Sequence, residues 1–173
     1  QPPSALETSA IQIKQHLVDN PNDFESWQLL GLTYFELNKL ADSVKAYQRA
    51  YQINPNDFGL LIEYASTMIS INNNQFTTKS VGLVKQALTI DPNAPEALYL
   101  AGMFAASIQD FNLARELWSR ALNALPEGNA DREVLMSILA ELKTIESSES
   151  VTYSVSINVE LSAAMLASRS KED

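Results

Sequence analysis

Three segments of this sequence end alike, at a nearly constant interval. They read QRAYQINPND (48–57), KQALTIDPNA (85–94) and SRALNALPEG (119–128). From one segment to the next, the matching alanines lie 37 and then 34 residues apart, and the matching prolines have the same steps. A period near 34 residues predicts a solenoid of helix–turn–helix units, because one helix pair cannot bury its apolar face alone. We therefore expect an all-α chain.

The first unit has the clearest internal pattern, W-x2-L-G-x2-Y at positions 27–34. This pattern resembles the tetratricopeptide repeat. The third unit repeats much of it, whereas the second is degenerate and carries three extra residues around NNNQFTT (72–78). We expect the following residues to pack the repeats: Trp27, Gly31, Tyr34, Tyr47, Pro55, Gly102, Trp118 and Pro126.

Several of these residue types have a physical reason for their place. Gly31 and Gly102 are small where the two helices of a unit should cross most closely, and large aromatic side chains fill the space beside them. The prolines end each second helix, because proline cannot continue a helix. Asp57 and Asn93 are predicted to cap the helices that follow them.

The repeats are extended at both ends. Residues 4–19 resemble the second helix of an incomplete leading repeat, and residues 130–146 form an amphipathic helix that could cover the last apolar face. The predicted fold is an all-α, tetratricopeptide-repeat right-handed superhelix at 1–148: three repeats, a leading half-repeat and a capping helix with Val134, Leu135, Ile138, Leu139, Leu142 and Ile145 on its apolar side.

Composition argues against several classes of function. The net charge is −9, from 21 acidic and 12 basic residues, which disfavours nucleic-acid binding. The chain has no cysteine, no glycine-rich phosphate loop and no metal-ligand spacing among its carboxylates. His16 is the only histidine, and the sequence places no catalytic partner beside it. We expect a protein that is not an enzyme, without a cofactor or metal.

A peptide-binding groove is the predicted functional site. The concave face of such a solenoid is lined by the first helix of each pair. The predicted groove residues are Gln28, Leu32, Phe35, Ile62, Ser66, Ile69, Tyr99, Met103 and Ala106, with an acidic rim of Glu25, Glu63 and Glu96. Tetratricopeptide proteins that grip acidic tails use Lys and Asn here, and this groove has neither. An apolar or amphipathic segment with basic flanks is the predicted ligand. The alternative is that some of these residues are buried between helices.

The order of the units narrows the resemblance. A half-repeat, a good unit, a degenerate unit with a polar insertion, a good unit and a cap are similar to the repeat domain of bacterial c-type cytochrome biogenesis factors of the CcmI, CcmH C-terminal and NrfG type. The stretches at 20–57 and 84–126 carry this resemblance. It implies a periplasmic chaperone that holds the C-terminal segment of apocytochrome c for a haem lyase complex. The alternative is a scaffold for a membrane or secretion complex.

The C-terminal residues change period. VTYSVSINVEL (151–161) alternates apolar and polar residues, which predicts a half-buried β-strand. The resemblance to CcmI-type proteins implies that 149–173 is a tail that opens a truncated β-rich second domain. A lone strand needs a partner, so we expect it to form a dimer through 151–161 or, alternatively, to lie against the repeats. Because the chain begins at Gln1 without a methionine, we also expect a fragment of a longer protein. The resemblance implies that the longer protein is anchored to the membrane.

Overall fold

The computed structural model describes residues 2–148, and all regular structure in that range is helical. The helices are α1 (Ala5–Asp19), α2 (Phe24–Glu36), α3 (Leu40–Ile53), α4 (Phe58–Ile71), α5 (Thr78–Ile90), α6 (Pro95–Ser107), α7 (Phe111–Ala124) and α8 (Ala130–Ser148). The all-α prediction and the count of eight helices are confirmed for these residues. The predicted strand at 151–161 and the predicted dimer through it lie outside them.

The chain divides into two compact units, with the boundary between Leu83 and Val84. The N-terminal unit contains α1 to α4 and the start of α5, and the C-terminal unit contains the end of α5 and α6 to α8. In the N-terminal unit, α1 packs on α2, α2 on α3, and α3 on α4. In the C-terminal unit, α6 packs on α7 and α7 on α8.

Side-chain caps begin α1, α2 and α4 of the N-terminal unit, whereas Lys39 at the start of α3 makes no side-chain cap. Ser4 and Glu7 form a capping box at α1, in which each side chain accepts a hydrogen bond from the other residue's backbone N–H. Asp23 accepts from the backbone of Ser26 at α2, and Asp57 accepts from the backbone of Leu60 at 2.8 Å. The predicted cap at Asp57 is confirmed.

The first repeat, α2 and α3, closes around a glycine. A methyl group on Gly31 would lie 2.5 Å from two ring carbons of Tyr47, which is itself buried. The buried hydroxyl of Ser43 donates to the Gly31 carbonyl at 2.7 Å. Gly31 and Tyr47 therefore lie in close contact, because only a residue without a side chain leaves room for the ring.

Trp27 lies at the edge of the same unit. Its indole N–H donates to the Pro21 carbonyl at 2.9 Å, and the Arg49 guanidinium lies 5.7 Å from the ring centre. Trp27 and Tyr34 also pack against the cluster of buried residues that joins α1, α2 and α3.

The leading half-repeat is confirmed as α1. Ala10 and Leu17 are buried in the cluster shared with α2, whereas Gln12 and His16 are exposed. The residues 34 positions later in α3 are Ala46 and Ala50, both buried. The face of α1 that corresponds to a buried face of α3 is therefore polar.

The third repeat, α6 and α7, also closes around a glycine. A methyl group on Gly102 would overlap the indole nitrogen of Trp118 and lie 2.5 Å from its Cδ1 atom. The indole N–H donates to the Tyr99 carbonyl at 3.1 Å. The predicted cap at Asn93 is wrong: Ala94 is the N-cap residue of α6, because Pro95 occupies its first turn. Asn93 accepts instead from Arg120 at 3.1 Å.

The helix α8 packs on α7, as the capping prediction requires. Leu135 and Leu142 are buried, and Ile138 and Leu139 are half-buried. Val134, which was assigned to the same apolar side, is 50% exposed, so the contact face of α8 is narrower than predicted. The side chain of Ile145 lies outside the described part of the chain.

Prolines follow the second helix of each repeat, as predicted. The helix α3 ends at Ile53 before Pro55, α5 ends at Ile90 before Pro92, and α7 ends at Ala124 before Pro126. The insertion after α4 includes Asn73 and Asn74 with φ of 54° and 61°. Asparagine tolerates this left-handed backbone better than most residues, so the extra turn there has a local cause.

Candidate functional site

One face of α2 exposes large apolar side chains. Leu32 is 37% exposed and Phe35 is 39% exposed, both at positions predicted to line the groove. Leu29 is 51% exposed beside them, and the sequence analysis missed it. Leu29 lies three residues before Leu32 on the helix, so helical spacing alone could have found it. Three large apolar side chains on one helix face form a surface that a partner could cover.

Glu63 on α4 faces this surface from the neighbouring helix. The Gln28 amide on α2 donates to the Glu63 carboxylate at 3.0 Å, which joins two predicted site residues across α2 and α4. Both side chains are half-buried. Burial raises the pKa of Glu63, and hydrogen bonds from Gln28 and Tyr47 only partly oppose that shift. Glu63 therefore lies further inward than a rim residue, whereas the predicted rim residue Glu25 is exposed on α2.

The surface of α4 beside Glu63 is open. Gly59, one turn before Glu63, is exposed, and a methyl group there would lie 3.5 Å from the Gln28 amide nitrogen. Ile62 and Ser66 are half-buried, so each offers part of its side chain to a ligand. Ile69 is only 3% exposed and belongs to the buried core of its unit. For Ile69 the alternative reading applies, namely burial between helices.

The remaining predicted groove residues lie on α6 of the C-terminal unit. Tyr99, Met103 and Ala106 are half-buried, and Glu96 is exposed at the first turn of the helix. The Tyr99 carbonyl accepts the hydrogen bond from Trp118, which fixes that residue's backbone. That these three residues and those of α2 and α4 line one groove stays a prediction.

His16 has a structural partner that the sequence analysis did not predict. Its Nε2 atom lies 2.8 Å from Oδ2 of Asp23, so the exposed end of α1 is joined to the start of α2. Hydrogen bonds from Ser26 and then from His16 hold the pKa of Asp23 at about 2. In residues 2–148 no group of three or more histidine or carboxylate side chains is placed to hold a metal ion.

A surface cavity of about 540 Å³ also lies in the N-terminal unit, between α1 and the turn from α2 to α3. Its lining combines apolar side chains with Lys14, Lys39 and Glu7, and Lys39 lies 3.9 Å from Glu7. The other lining residues are Pro2, Pro3, Ala10, Ile11, Tyr34 and Leu37. Nothing in the sequence pattern pointed to this cavity, because its walls come from two helices and a turn.

None of the helices in residues 2–148 combines the length and the apolar content that a bilayer-spanning segment needs.

Known proteins resemble the chain in sequence and in fold. It is 24% identical over 135 residues to the cytochrome c-type biogenesis protein CycH of Pseudomonas aeruginosa, covering 78% of this chain and 33% of CycH. It is 28% identical over 104 residues to the formate-dependent nitrite reductase complex subunit NrfG of Escherichia coli O157:H7, covering 60% of this chain and 52% of NrfG. The chain thus spans about a third of one relative and about half of the other.

Among solved structures, a tetratricopeptide repeat protein from Parabacteroides merdae superposes with a TM-score of 0.68 at 19% identity, over 82% of this chain and 55% of that one. This likeness shows the fold. The family described as "Cytochrome c-type biogenesis protein H TPR domain" matches residues 3–132. The chain therefore belongs to the tetratricopeptide-repeat domain family of cytochrome c-type biogenesis protein H.

Proposed function

We propose that this domain is a peptide-binding module of cytochrome c-type biogenesis in the periplasm, which holds the C-terminal segment of an apocytochrome c for haem ligation by a haem lyase complex. The names of its relatives CycH and NrfG support the process. The observation that carries the binding role is the exposed face of α2, where Leu29, Leu32 and Phe35 remain uncovered.

The chemistry of this face favours one kind of ligand. Three apolar side chains offer contact area to the apolar side of an amphipathic helix or an extended peptide. The exposed Glu25 and the half-buried Glu63 make the surroundings acidic. An acidic peptide would be repelled here, whereas a peptide with lysine or arginine on its polar side is complementary.

Titration of the chain with a C-terminal peptide of an apocytochrome c tests the proposal, with a scrambled peptide of the same composition as control. We expect saturable binding of the native peptide and at least tenfold weaker binding of the scrambled one. Equal affinity for both peptides, or no binding of either, would refute a sequence-selective peptide module and favour a scaffold role.

A variant locates the site. Phe35→Ala removes an exposed aromatic ring from α2, and we expect about tenfold weaker peptide binding because a Phe contact is worth up to a few kcal/mol. The matched control is Met136→Ala on α8, since Met136 is 49% exposed and lies outside the proposed site. If both variants bind the peptide like the unaltered chain, the site is not on α2.

A further inference from the structure

Glu63 differs from Glu25, the exposed carboxylate on α2, because it is half-buried, and no cation within residues 2–148 is paired with it. In the part of the chain that the structure describes, no lysine, arginine or histidine forms an ion pair with Glu63. Its hydrogen-bond partners are neutral: the amide of Gln28 at 3.0 Å and the hydroxyl of Tyr47. A buried carboxylate without a cation is costly, and proteins usually keep such a group only with a compensating partner.

The lysine and arginine side chains of the N-terminal unit lie against groups other than Glu63. Lys45 pairs with Asp42 at 3.4 Å, Arg49 lies over Trp27, and Lys79 lies 4.1 Å from the ring centre of Tyr51. Lys39 lies 3.9 Å from Glu7, and Lys14 lines the same cavity as that pair.

The geometry also leaves room for a cation from outside. Gly59 is exposed and places no side chain on the surface of α4 one turn before Glu63. Gln28 lies at the junction of α2 and α4, and its amide fixes the carboxylate from one side. On α2, Leu32 and Phe35 lie four and seven residues after Gln28, on the same helix face. The open carboxylate is therefore continuous with the exposed apolar face.

We propose that Glu63, positioned by Gln28 and left accessible by Gly59, is a binding subsite for one cationic side chain of the peptide ligand. A lysine or arginine of the ligand binds the carboxylate, and apolar residues one and two helical turns further along the ligand pack on Leu32 and Phe35. The subsite thus selects ligands by spacing, because one cationic residue of the ligand must lie next to a stripe of apolar residues, before it or after it. This inference rests on the proposed function, because it assigns the ligand chemistry of that same face.

Burial supports the assignment. Because desolvation raises the pKa of Glu63, its ionised form is disfavoured until an opposite charge arrives. A ligand ammonium or guanidinium would remove that penalty, which an exposed carboxylate such as Glu25 does not carry to the same extent. A charge-assisted hydrogen bond at a partly desolvated site is stronger than a surface ion pair.

The test is a double-mutant cycle between protein and peptide. The probe is a synthetic amphipathic helical peptide with a single lysine one turn from two leucines, and its partner peptide has glutamine in place of the lysine. Both are titrated into the unaltered chain, into Glu63→Gln and into the control Glu25→Gln. Glu63→Gln keeps the shape of the side chain and removes only its charge, so the fold should persist.

We expect the lysine peptide to bind the unaltered chain and Glu25→Gln about tenfold more tightly than the glutamine peptide. We expect this preference to fall below about twofold in Glu63→Gln. If the preference is the same in Glu63→Gln as in the unaltered chain, the subsite does not exist, although peptide binding as such would stand. If Glu25→Gln loses the preference equally, the effect is general electrostatics and the subsite is refuted. Absence of binding by any peptide would refute both the subsite and the proposed function.

Discussion

The first repeat and the third repeat correspond residue by residue, 71 positions apart, and both place a glycine under an aromatic ring. In the first repeat Tyr47 covers Gly31, and in the third Trp118 covers Gly102. The polar contacts around these pairs differ. Ser43 donates to the Gly31 carbonyl in the first repeat, and its counterpart in the third is Ala114, which has no hydroxyl to donate. There the indole N–H of Trp118 makes the contact between the helices.

The exposed positions differ more than the buried ones. Leu32 and Phe35 of the first repeat are exposed, whereas their counterparts Met103 and Ala106 are half-buried. At the position 71 residues after Glu63 stands Val134, which has no charge. The comparison teaches that a close helix crossing dictates residue size at a few buried positions and leaves the outer face free to acquire a different chemistry.

The largest expected effect comes from breaking the close crossings. We expect Gly31→Ala to lower the free energy of unfolding by roughly 1–3 kcal/mol, because the new methyl overlaps the Tyr47 ring. We expect a larger loss for Gly102→Ala, since moving Trp118 also breaks its hydrogen bond to Tyr99. Urea unfolding followed by circular dichroism measures both.

Gly82 in α5 is the matched control for these substitutions, because nothing lies within 4 Å of a methyl group built there. Gly82→Ala should stabilise the chain by about 0.5–1 kcal/mol through its better helix propensity. If all three alanine variants shift stability in the same direction, crowding against the aromatic rings is not what requires glycine at Gly31 and Gly102.

A second change tests the polar difference between the repeats. Ser43→Ala removes the buried hydroxyl that donates to Gly31, and we expect a loss of about 1 kcal/mol. The reciprocal change, Ala114→Ser, brings a hydroxyl to the corresponding place in the third repeat. We expect it to lower the free energy of unfolding by less than Ser43→Ala does. Equal stability of Ser43→Ala and the unaltered chain would show that this hydrogen bond contributes nothing net.

The charge at Glu63 gives a smaller, pH-dependent effect. Because the pKa of Glu63 is raised in the folded state, the folded chain binds this proton more tightly than the unfolded chain. The contribution of Glu63 to stability is therefore fully present below its unfolded pKa, near 4.5, and is lost as the pH rises through the folded value. We expect Glu63→Gln to be more stable than the unaltered chain at pH 7 and equal to it at acidic pH.

Asp23 provides the opposite sign in the same pH titration. Its pKa is lowered from 3.8 to about 2, so its contribution is present above 3.8 and lost as the pH falls through about 2. The unaltered chain and Glu63→Gln share this loss of stability at low pH, so only the difference between their urea midpoints reports on Glu63. A difference that stays constant from pH 4 to pH 7 would contradict the assignment.

The smallest effect concerns the ends of α2 and α6. Asn38 and its counterpart Gln109 have φ of 57° and 64°, the left-handed backbone that often ends helices. Glutamine tolerates it less well than asparagine, so Gln109→Gly should stabilise by a few tenths of a kcal/mol to about 1 kcal/mol, and Asn38→Gly by less. Thermal unfolding of the two variants compares them directly. A larger gain in stability for Asn38→Gly than for Gln109→Gly would contradict this expectation.

Sequence periodicity predicted the helices, the glycine crossings and the proline ends, because each depends on local geometry that recurs with the repeat. The repeat position did not predict burial. Phe35 and Ile69 occupy the same inner position of consecutive units, yet Phe35 is exposed and Ile69 is buried. Ile69 lies next to the three-residue insertion, where the regular spacing of the repeats is interrupted.

Contacts between different helices were not predictable from the sequence, because the pattern of one helix does not show which side chains of another helix it meets. The pairing of His16 with Asp23 crosses from α1 to α2, and the Gln28–Glu63 hydrogen bond crosses from α2 to α4. The wrong prediction of a cap at Asn93 was avoidable, since Pro95 in the first helical turn places the N-cap at Ala94.

Tyr47 joins the core of the first repeat to its exposed face. Its ring fills the space over Gly31, and its hydroxyl interacts with the Glu63 carboxylate, whose charge adds to burial in raising the pKa of Tyr47. Any change of charge at Glu63 is therefore thermodynamically linked to the opening of the hairpin formed by α2 and α3. The rates of amide hydrogen exchange in α2 and α3 should therefore change when a ligand binds at the exposed face outside them.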